Sequence, residues 1–317
     1  MKMDQGGHVS AKDAISIGLS AAIVSVEREE PSVLVIARKD EADALPFGPF
    51  DPAQHRTLES GLREWVGEQT QFDLGYTEQL YTFGDKGRQG TKSAGRLVSV
   101  GYLALTRQIS GATQTSEWRG WYHYFPWEDW RGGRPGMIDE AILPALRKFV
   151  KDASNPQTAE TRRERVRVSF GDGLPWDEEK VLERYELLYE AGLVEEYFRD
   201  SGAASGRTSF GTAMLYDHRR ILATAIARLR GKLKYRPVVF ELMAPTFTLL
   251  ELQRTVEALA GLKLHKQNFR RLVSEQGLVE GTGKFSSPAR GRPAELFRFR
   301  REVLRERPAP GLRLGRR

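Results

Sequence analysis

Thr246-Phe-Thr-Leu-Leu-Glu-Leu-Gln253, Leu264-His-Lys-Gln-Asn-Phe-Arg-Arg-Leu-Val273 and Gly291-Arg-Pro-Ala-Glu-Leu-Phe-Arg-Phe-Arg300 carry the stretch that decides how this chain is read. Thr248 with Glu251 three residues on is a capping box, which satisfies two backbone donors at a helix start. Leu249, Leu252, Val256 and Leu259 recur at helical spacing, and Gly261 breaks the run. A second helix is expected from about His265 to Gln276, with Gly277 as a left-handed cap. Its inner face is Phe269, Leu272 and Val273; Gln267, Arg270, Arg271 and Ser274 lie opposite, flanked by Lys266 and Asn268. Those polar side chains suit base edges and phosphates. Leu278 to Glu280 and Ala294 to Phe299 read as short strands, with Lys284, Arg290 and Arg292 between them. A helix–turn–helix followed by a basic hairpin is a winged helix. Expected DNA contacts are Thr246, Thr248, Lys266, Gln267, Asn268, Arg270, Arg271, Lys284, Arg290 and Arg292.

A basic helix face can also be merely solvated, so charge placement matters. From Lys232 onward there are nineteen Lys plus Arg against eight Glu and no Asp, a net of +11. Everything before it carries thirty basic against thirty-four acidic residues, a net of −4. The positive excess therefore lies in the last quarter, as a phosphate-binding module requires.

The 317 residues suffice for two domains with their own cores. Absence of cysteine excludes disulfides and thiolate metal sites, and the five histidines have no metal-ligand spacing. No apolar run is long enough to span a bilayer. Ala14 to Val26 reads as a buried strand rather than a signal-peptide core, because Asp13 abuts it and serines interrupt it. A cytoplasmic, nucleoid-associated protein is expected.

Strands are expected at Ile15–Val26, Ser32–Ala37, Leu80–Phe83, Leu97–Leu105 and Trp118–Pro126, with a helix over Thr57–Gln69. This mixture predicts an α/β (α+β) domain. The segment 127–215 breaks the rhythm and reads as an insertion with helices near Ile138–Lys151 and Asp177–Ala191. Between them Asp152–Arg165 is a polar, exposed stretch. Trp118, Trp121, Tyr122 and Tyr124 are expected in the core or a dimer interface. A helix over Tyr216–Leu233 leads into the winged helix. The expected organisation is a loose N-terminus (1–12), an α/β domain carrying the insertion (13–234), the winged helix (235–300) and a basic tail (301–317).

Glu64 and Glu68 share one helical face and could hold a metal against a pyrophosphate. Their setting sharpens this: Leu45-Pro-Phe-Gly48, Arg63-Glu64, Tyr81-Thr-Phe-Gly-Asp85, Gly95 to Leu105, Tyr216-Asp-His-Arg-Arg-Ile-Leu-Ala and Leu229-Arg-Gly-Lys-Leu-Lys-Tyr235 follow in order. The chain resembles the Nudix-related transcriptional regulators of NAD metabolism, the NrtR family, and the insertion is similar to its NadQ-type branch. The resemblance implies a degenerate Nudix-like domain followed by a winged helix-turn-helix.

It departs from the Nudix catalytic pattern: Gly67 replaces a glutamate, His55 the upstream glutamate, Thr70 the closing glycine, and Gly48 is out of register with Pro49 in its place. Pyrophosphate hydrolysis needs several carboxylates, so no catalytic residue, no metal site and no required cofactor is expected. The resemblance implies a repressor of NAD-biosynthesis genes that binds operator DNA as a homodimer. Its effector would be an NAD-related nucleotide: ADP-ribose, NAD or ATP. The expected pocket residues are Phe47, Arg63, Glu64, Glu68 and Arg96. For Arg63 and Glu64 an internal ion pair fixing helix to loop is the competing reading, and for Arg96 a surface arginine. An active pyrophosphatase acting on ADP-ribose-type substrates with an appended nucleic-acid module is the alternative, and a nonspecific nucleic-acid-associated protein a third.

Overall fold

The computed structural model describes residues 15–37, 39–72, 74–85, 96–107, 116–204, 209–286 and 293–312. Its largest element is a six-stranded mixed sheet. Strands β1 (Ile15–Glu27) and β5 (Arg96–Leu105) pair in parallel, Ile15 opposite Arg96 through Val24 opposite Leu105. Both are nearly continuous apolar runs because both of their faces are covered. β2 (Glu30–Ile36) pairs antiparallel to β1 through a tight turn in which Arg28 and Glu29 take φ of 48° and 69°, the backbone of a primed hairpin turn. β4 (Tyr76–Phe83) and β6 (Ser116–Gly120) form the edges, and the short β3 (Phe47–Pro49) pairs with β1.

Helix α1 (Leu58–Thr70) covers one face. Thr57 caps it in a reciprocal pair with Ser60, and Leu62 and Val66 pack with Leu19, Ile23, Val100 and Phe72. Trp65 Nε1 donates to the Pro49 carbonyl at 2.7 Å, and its ring lies so close to Gly48 that a Cβ there would fall 2.2 Å from it. Glycine at 48 is therefore a packing requirement of the indole.

The opposite face is covered by α6 (His218–Tyr235) and the inserted helices: α2 (Leu143–Lys151), α3 (Pro156–Phe170), α4 (Val181–Glu190) and α5 (Glu195–Ser201). The insertion packs on its own chain. The strand expected over Trp118–Pro126 stops at Gly120; Trp121–His123 is a 3-10 turn that buries Trp121, Tyr124 and Phe125. Aromatic residues favour strands, but here the chain turns at Trp121, burying Trp121, Tyr124 and Phe125 while Glu117 and Arg119 stay exposed on β6. Of the stretch Asp152–Arg165, read as polar and exposed, residues 156–165 are helical and mostly exposed, with Thr158, Ala159, Arg162 and Arg165 half-buried. Asn155 accepts from the Thr158 N–H at 2.8 Å, and Gly171, at φ 63°, ends the helix. Only Val166, Ser169 and Phe170 are buried, too few to give an apolar stripe.

The C-terminal unit comprises α7 (Leu249–Ala260), α8 (Lys266–Gln276), β7 (Val279–Phe285) and β8 (Glu295–Phe299), which pair Val279 with Phe299. Phe247 joins this hairpin, exchanging backbone hydrogen bonds of 2.9 and 2.8 Å with Phe297. One apolar cluster runs unbroken from the sheet through the insertion to Leu252, Phe269, Val273 and Leu278. After the short α9 (Val303–Glu306) the described chain, to residue 312, stays against the body. Leu312 is buried, and its N–H donates to the Leu233 carbonyl at 2.8 Å, strapping the segment to the end of α6.

Candidate functional site

The capping box read from the sequence is formed: the Thr248 N–H donates to Glu251 Oε2 at 2.7 Å and the Glu251 N–H to Thr248 Oγ1 at 3.2 Å. It fixes the start of α7, and Gly261 at φ 70° ends it. Residues 261–265 then connect it to α8. Phe269 and Val273 are buried beneath α8, while Lys266, Gln267, Asn268, Arg270, Arg271 and Ser274 are all exposed on it. Among the described residues Arg271 has only Glu275 nearby, at 3.8 Å between largely exposed side chains, too loose to hold it back. Among the described residues no carboxylate lies within ion-pair range of Lys266, Arg270 or Lys284, whereas Arg298 on β8 is paired with Glu280 and Arg300 beyond it with Glu306. Thr246 and Lys284 are exposed, Thr248 is spent on its cap, and Arg290 and Arg292 lie outside the described residues.

The nucleotide-site expectation divides. Arg63 does not pair with Glu64. Its guanidinium reaches the other side of α1, donating to Glu59 Oε1 at 2.9 Å, to Thr77 Oγ1 at 3.2 Å and to the Leu74 and Gly75 carbonyls. The Thr77 hydroxyl and then Arg63 hold the Glu59 carboxyl below its ordinary range. This is the internal ion-pair reading, with Glu59 in place of Glu64. Glu64 and Glu68 are exposed, with His55 Nε2 3.5 Å from Glu64. His55 itself is buried and its Nδ1 accepts from the Asp51 N–H at 3.0 Å. With His55 so engaged and Gly67 bearing no ligand, the residues present do not fit a Nudix metal cluster. Among the described residues no group of three His, Asp or Glu could hold a metal ion. Arg96 opens β5 opposite Ile15; its side chain is not among the described groups.

Phe47 lies on another flank. Gln69 clasps its backbone through both amide atoms, and its ring meets Tyr216 at 5.5 Å and His218 at 5.0 Å. The residues that sequence reasoning missed as partners, Gln69, Tyr216 and His218, build this corner. Two of them stood in the quoted Tyr216-Asp-His block, but their meeting with Phe47 needs the fold. Tyr216 is held at φ 50°, its carbonyl accepting from Arg199 at 2.7 Å. His218 Nδ1 accepts from the Leu45 N–H at 3.1 Å, and burial, then the charge of Arg199, push the imidazole down to about 3. The unfolded chain takes up the proton below its ordinary value of 6.5 while the fold refuses it. Stability is thus full above that value and falls as pH drops toward 3, at up to about 1.4 kcal/mol per unit. Melting temperatures between pH 7 and 4.5 should decline less steeply for His218→Gln than for the parent; parallel slopes would exclude His218 as the cause.

Comparison with known proteins places these parts. Residues 239–299 match the family of NrtR DNA-binding winged helix domains. A curated relative, the "ADPR responsive transcriptional repressor NtrR" of Acinetobacter baylyi, is 44% identical over 86 residues, 27% of this chain. The match spans 34% of that relative's length. In fold, the chain is similar to Shewanella oneidensis NrtR crystallised with a 27mer DNA. That likeness has a TM-score of 0.53 and 20% identity, and covers 90% of this chain and 94% of that one. It is also similar to a MutT/nudix family protein of Enterococcus faecalis (TM-score 0.51, 14% identity, 95% and 90% covered). The resemblance to the NrtR regulators and the fold class expected from the sequence, a Nudix-like α/β domain followed by a winged helix, are both borne out.

Proposed function

We propose that this chain is a nucleotide-responsive transcriptional repressor of NAD-biosynthesis genes. Its α8 face enters the major groove of a palindromic operator, and the Nudix-like domain binds an NAD-related nucleotide without hydrolysing it. The observation that carries this reading is the row Lys266, Gln267, Asn268, Arg270 and Arg271, exposed together on the second helix of a domain matching a DNA-binding family. Thr246 and Lys284 would flank it on phosphates, as would Arg290 and Arg292 of the wing. A homodimer would set two such helices about one turn of DNA apart, roughly 34 Å. No described helix is long and apolar enough to cross a membrane; the proposed location is cytoplasmic, on the nucleoid.

ADP-ribose is the first-choice effector because the curated relative is described as ADPR-responsive; NAD and ATP are the others. Phe47 and Tyr216, backed by the buried His218, would supply the aromatic wall of such a pocket, with Glu64 and Glu68 as exposed polar groups of the neighbouring helix. Arg63, already bound within the fold, serves as a brace, and Arg96 stays in the proposal as a phosphate contact.

Titrating operator binding with each nucleotide tests this. One of the three should shift operator affinity on the order of five- to 150-fold, and operator should shift that nucleotide's affinity by the same factor. If no nucleotide moves operator affinity, the sensing half of the proposal fails. Magnesium-dependent turnover of ADP-ribose that disappears in Glu64→Gln would favour a working pyrophosphatase instead.

A further inference from the structure

The carbonyls that end α7 are not left to water. Arg230 Nε donates to the Leu259 carbonyl at 3.0 Å, Tyr122 Oη to the Ala258 carbonyl at 2.6 Å, and the Trp130 N–H to the Gly261 carbonyl at 2.8 Å. All three donors belong to the effector side of the chain. A helix leaves its last carbonyls unpaired and partly negative; here a buried cation and two neutral donors take them across the domain boundary.

Arg230 is itself held. Its Nη1 donates to Glu128 Oε2 at 2.7 Å, and Arg184, from inserted helix α4, grips the same carboxylate at 2.5 and 2.8 Å. All three side chains are about 1% exposed or less. The spare donors go to backbone: Arg184 to the Ser169 and Asp177 carbonyls, Arg230 to those of Glu178 and Glu128. Each of those carbonyls lies within the insertion, and Trp176 lies over Arg184 at 3.8 Å. Close fit extends to Gly261, where a Cβ would fall 2.4 Å from the Glu128 carbonyl oxygen. Helix α6 connects this grip to the nucleotide corner, since His218 begins it and Arg230 lies twelve residues on, about 18 Å along a rigid rod.

We propose that Arg230, clamped by Glu128 and Arg184, is the positioning residue through which the effector domain sets the pose of the DNA-binding unit. The inserted segment's part is to build that clamp. The nucleotide-sensing role rests on the function proposed above; the positioning role does not, and is tested without nucleotide or DNA.

One carboxylate shared by two arginines leaves a matched pair when either arginine is removed, so Arg230→Met keeps Glu128 paired with Arg184. With no native cysteine, spin labels go only where cysteines are introduced: Gln157→Cys on α3 and Glu275→Cys on α8, both exposed. The full chain, diluted with unlabelled chain, is measured by pulsed electron resonance. A narrow distance distribution is expected for the parent and one at least twofold broader for Arg230→Met, with a cooperative melt retained. Tyr122→Phe, which deletes one hydroxyl, should broaden it less. If Arg230→Met melts without cooperativity, Tyr122→Phe decides by the same measure. Widths equal to the parent's in the folded variants overturn the proposal. A parent that holds a narrow distribution but ignores every nucleotide would leave the clamp intact and remove only the sensing function.

Discussion

Replacing Arg270 and Arg271 together with alanine is expected to weaken operator binding by two to three orders of magnitude while leaving the fold untouched. Both guanidiniums are exposed, and the carboxylate of Glu275 holds Arg271 only loosely. Truncation therefore removes no packing and exposes no buried partner. A base-specific arginine contact is worth about 1–3 kcal/mol, and two on one helix combine to that loss. The melting temperature should stay within a degree or two, because surface changes of this kind are worth about 0.5 kcal/mol or less. Lys284→Ala gives the contrasting signature: a modest loss on any duplex and a shallower salt dependence, as for a phosphate contact. Gel retention of operator and scrambled duplex at two salt concentrations separates the two. Retention unchanged in the double variant would show that α8 does not face the groove.

The largest stability effect is expected at Arg219. Its guanidinium is fully buried, 3.2 Å from Glu196 Oε2, and donates to the Tyr124 and Phe210 carbonyls at 2.6 and 2.8 Å. Phe125, Trp127 and Tyr185 surround it, ring centres 5.3–5.5 Å away. Glu196, also buried, has the Met214 N–H as its other partner at 3.1 Å. Arg219→Ala would strand that carboxylate and two carbonyls in a low-dielectric interior, for which about 3–5 kcal/mol is the usual loss. The double variant Arg219→Met/Glu196→Gln should recover much of it, since the unpaired charge is then absent. Urea midpoints at constant slope measure both. A single-variant loss under about 1 kcal/mol would mean that water reaches the site.

How far the sequence reached follows from where its signals are local. Thr248 and Glu251, three residues apart, announce the start of α7, and the alternation of Phe269 and Val273 with Arg270 and Arg271 orients α8. Those features need only helical geometry. The strands β1 and β5 were legible for the same reason, as apolar runs bounded by polar turns. Helix α3 was not, because only its last turns are buried and its arginines and glutamates pair along the surface, as Arg163 does with Glu160. The partner of Arg63 is set by the helix itself: Glu59, four residues back, shares its face, whereas the adjacent Glu64 points elsewhere, and Thr77 of β4 completes the site alongside. The Phe47 corner and the Glu128 centre join residues separated by 171 and 102 positions, and no periodicity reports such meetings.

The strap at Leu312 has a bearing on how this protein can be taken apart. Its backbone partner, Leu233, precedes the first residue of the matched winged helix domain at 239. Gly311 lies against Lys234 and Tyr235 so tightly that a Cβ would meet their backbone at 2.2–2.3 Å. A fragment cut at the domain boundary would lose the surface on which its own end is seated, and the remaining half would expose the last turn of α6. The two halves are thus interlocked, and the winged-helix half is no portable cassette: exchange with a foreign N-terminal domain would have to carry the end of α6 along with it.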